Sequence, residues 1–574
     1  MRWESRTPGM LPSSRTTLVW LLLLAAVVLA PGIGLRHPAP PDEPRFVLAA
    51  QAMWETGDWL LPRRGGELYA HKPPLFMWLQ AASYALVRDW KVAFLLPSLL
   101  AALGTLWLLQ DLGRRLWTPR VGVLAALAML VTLQFGLQAR RAQIDMVLVA
   151  FTTLSLWALL RHLLVQRSDG LALLAGFAAG LGTVTKGVGF LPLLALVPWW
   201  LLHRKVSGEA PVRGWIIAGG FLAGCLVWLG PLLWGAAGSN DPALGAYLDD
   251  ILLRQTAERY ADPWHHLRPP WYYLQVIATL WLPGALLLPW LVPAWLRRWR
   301  RRDPRFVVLL GWSLLVLVFF SASAGKREVY ILPALPALCL AAAPLLRALT
   351  SRPGARRLLR TYLLVLAALL LSTSLVLLLD AQGLASSLAS ERGLSAADLQ
   401  RLGWALLATG SLAALVALAT WRRPTRGVVA VTVVLWLGHG LGIAPTLDAS
   451  SSGRALMASA VAHLPAGAEL GLVAWTEQLL LHAPAGTVDF GFEKPWPVQW
   501  RAAASWQQAV PARRWLLTST GALDPCVDAS RSVALGSANR RDWLLLHSSA
   551  WLPQCTPGAG NCPERRIDGV RPAD

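Results

Sequence analysis

The chain has 574 residues, 55% of them hydrophobic and 15% charged, with a formal net charge of +21. Soluble domains carry about 25% charged residues to coat their surface, so this composition excludes a disordered chain and an ordinary soluble enzyme and fits an integral membrane protein. The basic excess sits in short clusters between apolar runs, as membrane topology requires, with no single basic face or basic–aromatic motif, so nucleic acid is not an expected partner.

In chain order, Arg2, Arg6 and Arg15 precede an apolar run over about 17–35. That run is long for a signal-peptide core, and no small-residue cleavage site follows it. It reads as an uncleaved first helix with its N-terminus inside. Runs near the ~20 residues needed for a span follow at about 92–112, 121–138, 143–163, 170–185, 187–203, 213–235, 271–296, 305–322, 329–348, 358–380, 402–421 and 427–445. Alternate loops hold Arg114, Arg115 and Arg120; Arg161 and Arg167; Arg204 and Lys205; Arg297 to Arg302; Arg352 to Arg360; and Arg422, Arg423 and Arg426. Thirteen spans with the N-terminus inside satisfy the positive-inside rule throughout and put the tail outside. Pro73 to Val87 is apolar but short, and as a span it would invert every later loop. It reads as an interfacial or partly inserted helix.

The expected architecture is therefore mostly α: a transmembrane unit over 1–445 and a small outer α/β domain over 446–574. The outer loops 36–91 and 236–270 cover the first unit. The tail is more polar, with strand-like runs near 469–474, 486–491, 514–519 and 542–547 and a helical stretch at Trp475–His482. Cys225 and Cys339 lie in apolar runs and read as inert core residues. Among Cys526, Cys555 and Cys562 one pair can form a disulfide if the tail lies outside the cytoplasm.

The residues able to carry chemistry sit at the outer ends of the spans. The first outer loop opens Pro-Pro-Asp42-Glu43-Pro44-Arg45. Asp42 suits an N-cap and Pro44 a first helical turn. Phe46, Ala49, Ala50, Met53 and Trp54 recur at helical spacing up to a stop at Gly57, which predicts an amphipathic helix on the membrane surface. Capping and the helix dipole explain the two acids, but not the nearby Arg45. A carboxylate beside a cation at the lipid boundary also suits catalysis on a charged head group. Tyr69-Ala-His71-Lys72-Pro73-Pro74 places Lys72 where a helix begins, able to snorkel to lipid phosphates.

Asp145 follows Arg140-Arg141 at the start of a span, with Arg141 four residues back as the expected ion-pair partner. Lys186 breaks an apolar stretch at an outer turn. Lys326, Arg327, Glu328 and Tyr330 form another outer charged turn, against the sign that topology prefers there. The 236–270 loop holds Arg254, Glu258, Arg259, Tyr260, His265, His266 and Arg268. Adjacent histidines lack the i, i+4 geometry that gathers two ligands on one helix face.

Taken jointly and in order, Asp-Glu-Pro-Arg, Gly57-Asp58-Trp59, Tyr69…Lys72-Pro73-Pro74-Leu75, the Arg-rich approach to Asp145 and Thr185-Lys186-Gly187 resemble a GT-C glycosyltransferase of the protein O-mannosyltransferase superfamily. The resemblance is to the bacterial aminoarabinose lipid A transferase type and covers about residues 40–350. It implies a bundle of about thirteen transmembrane helices, a polyprenyl-phosphate sugar donor, a lipid or glycan acceptor, an outer active site in the bacterial inner membrane and no nucleotide cofactor. No GxGxxG or P-loop precedes a helix, in agreement. By the same resemblance Asp42 is the principal catalytic acid and Asp145 the second. Arg45, Tyr69 and Lys72 contact the donor phosphate, Tyr330 lines the lipid groove, and Glu43, Lys186 and Arg259 are further candidates. The family commonly has Glu-Lys-Pro-Pro, where this chain has His71-Lys-Pro-Pro, and the Glu position is associated with a bound metal in the lipid A transferase type. The change admits three readings: His71 as a ligand of a divalent metal with His265 or His266, metal-independent chemistry, or a different sugar. Attack on the anomeric centre from the face opposite the phosphate gives inversion. A polyprenyl-lipid or solute transporter is the rival class, and it predicts mid-bilayer charges and repeat-related broken helices.

Overall fold

The computed structural model describes residues 14–203, 212–238, 242–251, 267–380 and 383–558. All thirteen apolar runs fall on helices. Among the described residues, eight helices are long and apolar enough to cross a membrane, or up to ten if each of two bent pairs counts as one span. The expected count of thirteen is thus not reached by length and hydropathy. The other three runs form the 16-residue α1 (Ser14–Leu29), α9 (Asp169–Lys186), which is charged at both ends, and the short apolar helix Leu191–His203. At 1.5 Å per residue α1 reaches about 24 Å, short of a hydrocarbon core of about 30 Å. The fold is nonetheless that of a multi-pass membrane protein.

The first loop folds into α2 (Glu43–Thr56), a hairpin of β1 (Arg63–Arg64) and β2 (Glu67–Leu68), and α3 (Leu75–Val87). Pro44 stands in the first turn of α2, and Gly57 ends the helix in the left-handed region at φ 74°, as expected. The apolar stripe of α2 does not face lipid, however. Phe46, Val47, Ala49, Ala50 and Met53 are buried against Phe76 and Met77 of α3 and against Ile144 and Val147 of α8 (Ile144–Leu164). This packing seats the first turn of α2 against the start of α8. α3 is a short apolar helix, as the length of its run required.

Close helix approach comes from small residues. On α9, Gly176 and Gly180 face Gly220 and Gly224 of the helix Gly214–Gly238. A methyl on Gly180 would lie 2.3 Å from the Phe221 carbonyl oxygen, and one on Gly224 would lie 2.3 Å from that of Phe177. Without a hydrophobic drive between helices in lipid, such backbone contact supplies the association. Gly180→Val is therefore expected to separate the pair and to destabilise the protein by about 1–3 kcal/mol, the usual cost of overpacking. A lower thermal-unfolding midpoint in detergent measures this.

The run at 121–138 is broken into α6 (Pro119–Leu130) and α7 (Leu133–Ala139), bent by 73°. Beyond the last long apolar helix, a five-stranded sheet forms in the order β4-β3-β5-β7-β6. Its strands are β3 (Glu469–Leu472), β4 (Val488–Asp489), β5 (Arg514–Ser519), β6 (Val533–Ala538) and β7 (Arg541–Leu546). β3 runs parallel to β4 and β5, while β7 is antiparallel to β5 and β6. Alternation divides the strands between two cores. Leu517 and Leu545 pack with Leu456 and Met457 on one side, and Leu516, Leu544 and Leu546 pack with Trp500 and Ala503 on the other. The expected stretch 475–482 contains the helix Glu477–Leu480. β6 and the helix Trp496–Ala509 were not expected: β6 carries an internal Gly-Ser, and Pro495-Trp-Pro497 reads as a turn. Cys526 and Cys555 form a disulfide, Cys225 and Cys339 are buried and free, and Cys562 lies outside the described residues.

Candidate active site

The N-termini of α2 and α8, the C-terminus of α9 and the turn before Glu328 meet at one end of the bundle, and the tail closes over them. Asp42 occupies the N-cap position of α2 but makes no capping bond. Its side chain turns inward instead. Oδ2 accepts from Gln143 Nε2 at 2.5 Å and from Arg327 at 2.9 Å, and Arg45 lies 3.6 Å from Oδ1. Burial pushes this carboxyl up, but Arg327 and Arg45, with Lys186 farther off, outweigh it and hold it at about 2. Asp42 is thus ionised at every physiological pH. Burial alone would lower the Arg45 and Arg327 guanidiniums, and their acidic neighbours raise both instead. Each leaves 27% of its side chain exposed, so a phosphate can still reach them.

Glu43 does not join this group. Its carboxylate takes a bidentate pair from Arg36 at 2.5 and 2.6 Å and the backbone N–H groups of Ala39 and Ala142, both at 2.9 Å. Arg36 also donates to the Arg140 carbonyl oxygen. Glu43 is therefore a clamp between the loop at Ala39, α2 and the approach to α8.

Asp145 pairs with Lys186, not with Arg141. Arg141 sits in the turn before α8 begins at Ile144, so the i, i+4 spacing never applies. Lys186 Nζ lies 4.7 Å from the centre of the Tyr330 ring, which brings α8, α9 and the turn after Arg327 together. Asp145 also favours the charged Arg327, so the two acids share one electrostatic field. Tyr69 is buried, and burial raises its hydroxyl. Lys72 is half-buried in the bend between β2 and α3.

The tail enters the same site, which the sequence did not reveal. Glu477 lies 3.4 Å from Arg45 and 3.2 Å from Arg64. Arg64 also pairs with Glu493 and stacks 3.8 Å from the Phe492 ring and 5.2 Å from Tyr69. His71 faces Glu493 at 3.2 Å. Gly66 N–H donates to Asp489, and Glu67 accepts from the Glu493 N–H, so the β1–β2 hairpin is fastened to the sheet. Among the described residues no group of three His, Cys, Asp or Glu could hold a metal ion. His71 and Glu493 are two ligands beside the Arg64 cation, a poor donor set for a divalent ion. Arg259, His265 and His266 lie outside the described residues.

Paired acids flanked by cations at the end of a polytopic helical bundle suit a membrane glycosyltransferase of GT-C-like architecture. Residues 71–234 match the family of dolichyl-phosphate-mannose-protein mannosyltransferases. Undecaprenyl phosphate-alpha-4-amino-4-deoxy-L-arabinose arabinosyl transferase 1 of Pseudomonas fluorescens (strain Pf0-1) is 32% identical over 412 residues, covering 69% of this chain and 68% of that one. The corresponding transferase of Pseudomonas aeruginosa (strain LESB58) is 34% identical over 312 residues, 52% of this chain and 54% of that one. Among solved structures, ArnT from Cupriavidus metallidurans in the apo state superposes with a TM-score of 0.71 at 21% identity, covering 94% of this chain and 100% of that one. The same protein bound to undecaprenyl phosphate gives 0.69 at 19% identity, covering 95% and 100%. These likenesses show the fold. The chain belongs to the family of undecaprenyl phosphate-alpha-4-amino-4-deoxy-L-arabinose arabinosyl transferases.

Proposed function

We propose that the chain transfers a sugar from a polyprenyl-phosphate donor to lipid A or a similar envelope acceptor at the periplasmic face of the inner membrane. The observation that carries this reading is Asp42, ionised and held between two guanidiniums that keep an open side. In the reaction the bond from the anomeric carbon to the phosphate oxygen breaks, and a bond to the acceptor oxygen forms on the opposite face. Arg45 and Lys72 stabilise the charge growing on the departing polyprenyl phosphate, where little water competes. Asp42 takes the proton of a hydroxyl acceptor, or orients an acceptor phosphate that is already ionised. Asp145, paired with Lys186, completes the acidic wall, Tyr69 supports the donor-phosphate cations, and Tyr330 lines the lipid groove.

The relatives' names specify the donor to try first: undecaprenyl phosphate-alpha-4-amino-4-deoxy-L-arabinose. Purified protein in lipid nanodiscs, given that donor with a labelled sugar together with lipid A, is expected to yield labelled lipid A. Movement of labelled donor across sealed vesicles without transfer would instead identify a transporter.

The proposed orientation places the N-terminus in the cytoplasm and the unit 446–574 in the periplasm, apart from the transmembrane unit 1–445. The supporting observation is the alternation of Arg clusters. Reporter fusions after Arg423 and after Gly453 are expected to report opposite sides of the membrane. Two fusions on one side would overturn the orientation.

A further inference from the structure

α7 lies buried, yet it carries two glutamines one turn apart, Gln134 and Gln138. Buried amides are costly unless bonded, and these two are spent on the surroundings of Asp42. Gln134 accepts from the Trp281 indole at 2.6 Å and donates to the Glu328 carbonyl oxygen at 2.7 Å. It thereby anchors the turn whose neighbouring residue, Arg327, donates to Asp42 Oδ2. Gln138 Nε2 donates to Gln143 Oε1 at 2.5 Å, and Gln143 Nε2 donates to the same Asp42 oxygen, also at 2.5 Å. One face of one short helix therefore sets both donors of Oδ2.

The direction of this chain is fixed by chemistry. An ionised carboxylate only accepts, so Gln143 must present its NH2 to Asp42 and its carbonyl oxygen to Gln138. Two donors on Oδ2 hold the carboxylate in place, and Oδ1, which Arg45 faces at 3.6 Å, is the oxygen without a hydrogen bond. We propose that Gln138 and Gln143 are positioning residues for sugar transfer, an amide relay that holds Asp42 in one rotamer with Oδ1 turned toward Arg45 and the acceptor. The inference rests on the reading of Asp42 as the group that acts on the acceptor.

The groups around Asp42 are Arg45 from α2, Tyr69 from the hairpin exit, Gln143 at the start of α8, Lys186 from α9 and Arg327 from the turn before Glu328; Glu477 of the tail stands behind Arg45. All the cations favour the charged carboxylate. A wild-type rate set by Asp42 is therefore flat with pH from 5 to 8. Gln143→Glu puts a second carboxylate against Oδ2, and two such groups hold a proton between them.

The test measures transfer from undecaprenyl phosphate-aminoarabinose to lipid A by full-length protein in nanodiscs, matched for folded yield. Gln138→Met and Gln143→Met keep bulk but lose the relay. Each is expected to lower kcat at least about fivefold, the net weight of one hydrogen bond, with donor KM changed less than about twofold because Arg45 and Lys72 are untouched. Gln143→Glu is expected to acquire an acid limb, its rate rising with pH between about 5 and 8 where the wild type is flat. If a Gln143 variant does not fold, Gln138→Met carries the same kcat prediction. Unchanged kcat in the Met variants, or a pH profile of Gln143→Glu parallel to wild type, overturns the relay. Wild-type protein without transfer sinks the functional reading itself, and the relay falls with it.

Discussion

Asp42→Asn is expected to lower turnover about a thousandfold, within the range that a positioned general base supplies, while donor affinity stays within about threefold. Asparagine keeps the shape and one oxygen able to accept from Gln143 and Arg327, so the local contacts largely persist. What disappears is the charge. Arg45 retains Glu477 as a counterion, and Arg327 keeps a partly exposed side chain and the field of Asp145. The folded yield is therefore near normal. A purely structural Asp42 predicts the reverse, activity falling in step with folded protein. The variant also has a pH signature. The carboxyl is held at about 2 in the fold against an ordinary 3.8, so its stabilisation is complete above about pH 4 and is lost as pH falls toward 2. Asp42→Asn removes that part of the slope. Turnover, donor binding and acid unfolding measured on one preparation decide between the two accounts.

Asp145→Ala is expected to be the most destabilising single change at the site, by about 3–5 kcal/mol. The carboxylate is buried, and its partner Lys186 keeps only 14% of its side chain exposed. Removing the acid leaves an ammonium at a helix end with the face of Tyr330 and the more distant Asp42 carboxylate as counterparts. The double variant Asp145→Leu with Lys186→Met replaces both charges by apolar bulk, and it is expected to recover most of the thermal stability. Transfer should not return, because the second acid is still missing. If stability and activity were rescued together, Asp145 would be a structural ion pair and no more. If Asp145→Ala alone kept its unfolding midpoint, the pair would carry little of the fold.

What the sequence could show followed from local physics. Pro44, the period of Phe46, Ala49, Ala50 and Met53, and Gly57 specified α2 almost to its ends. The short run after Pro74 specified a short helix. Leu516–Leu517 and Leu544–Leu546 lie in strands that short, continuous apolar runs mark. The contacts that make the site were beyond such reading because they join distant residues. Gln143 is 101 residues from Asp42, and Arg327 is 285. Arg327 left a trace as positive charge on the side where topology disfavours it. Gln138 and Gln143 left none, since a neutral amide in an apolar run breaks no rule. Periodicity shows the apolar stripe of α2 but not what covers it, here α3 and α8 in place of lipid. The capping role of Asp42 failed for a related reason: stronger donors from elsewhere in the chain outcompeted its own helix.

Glu477 has a consequence for the life of the molecule. Arg64 and Glu477 are separated by 413 residues, so the carboxylate that quiets Arg64 and Arg45 is among the last parts of the site to be synthesised. Until that segment has been made and folded, a nascent chain carries these two guanidiniums without it. The finished tail gives these two guanidiniums a counterion with which any incoming phosphate competes.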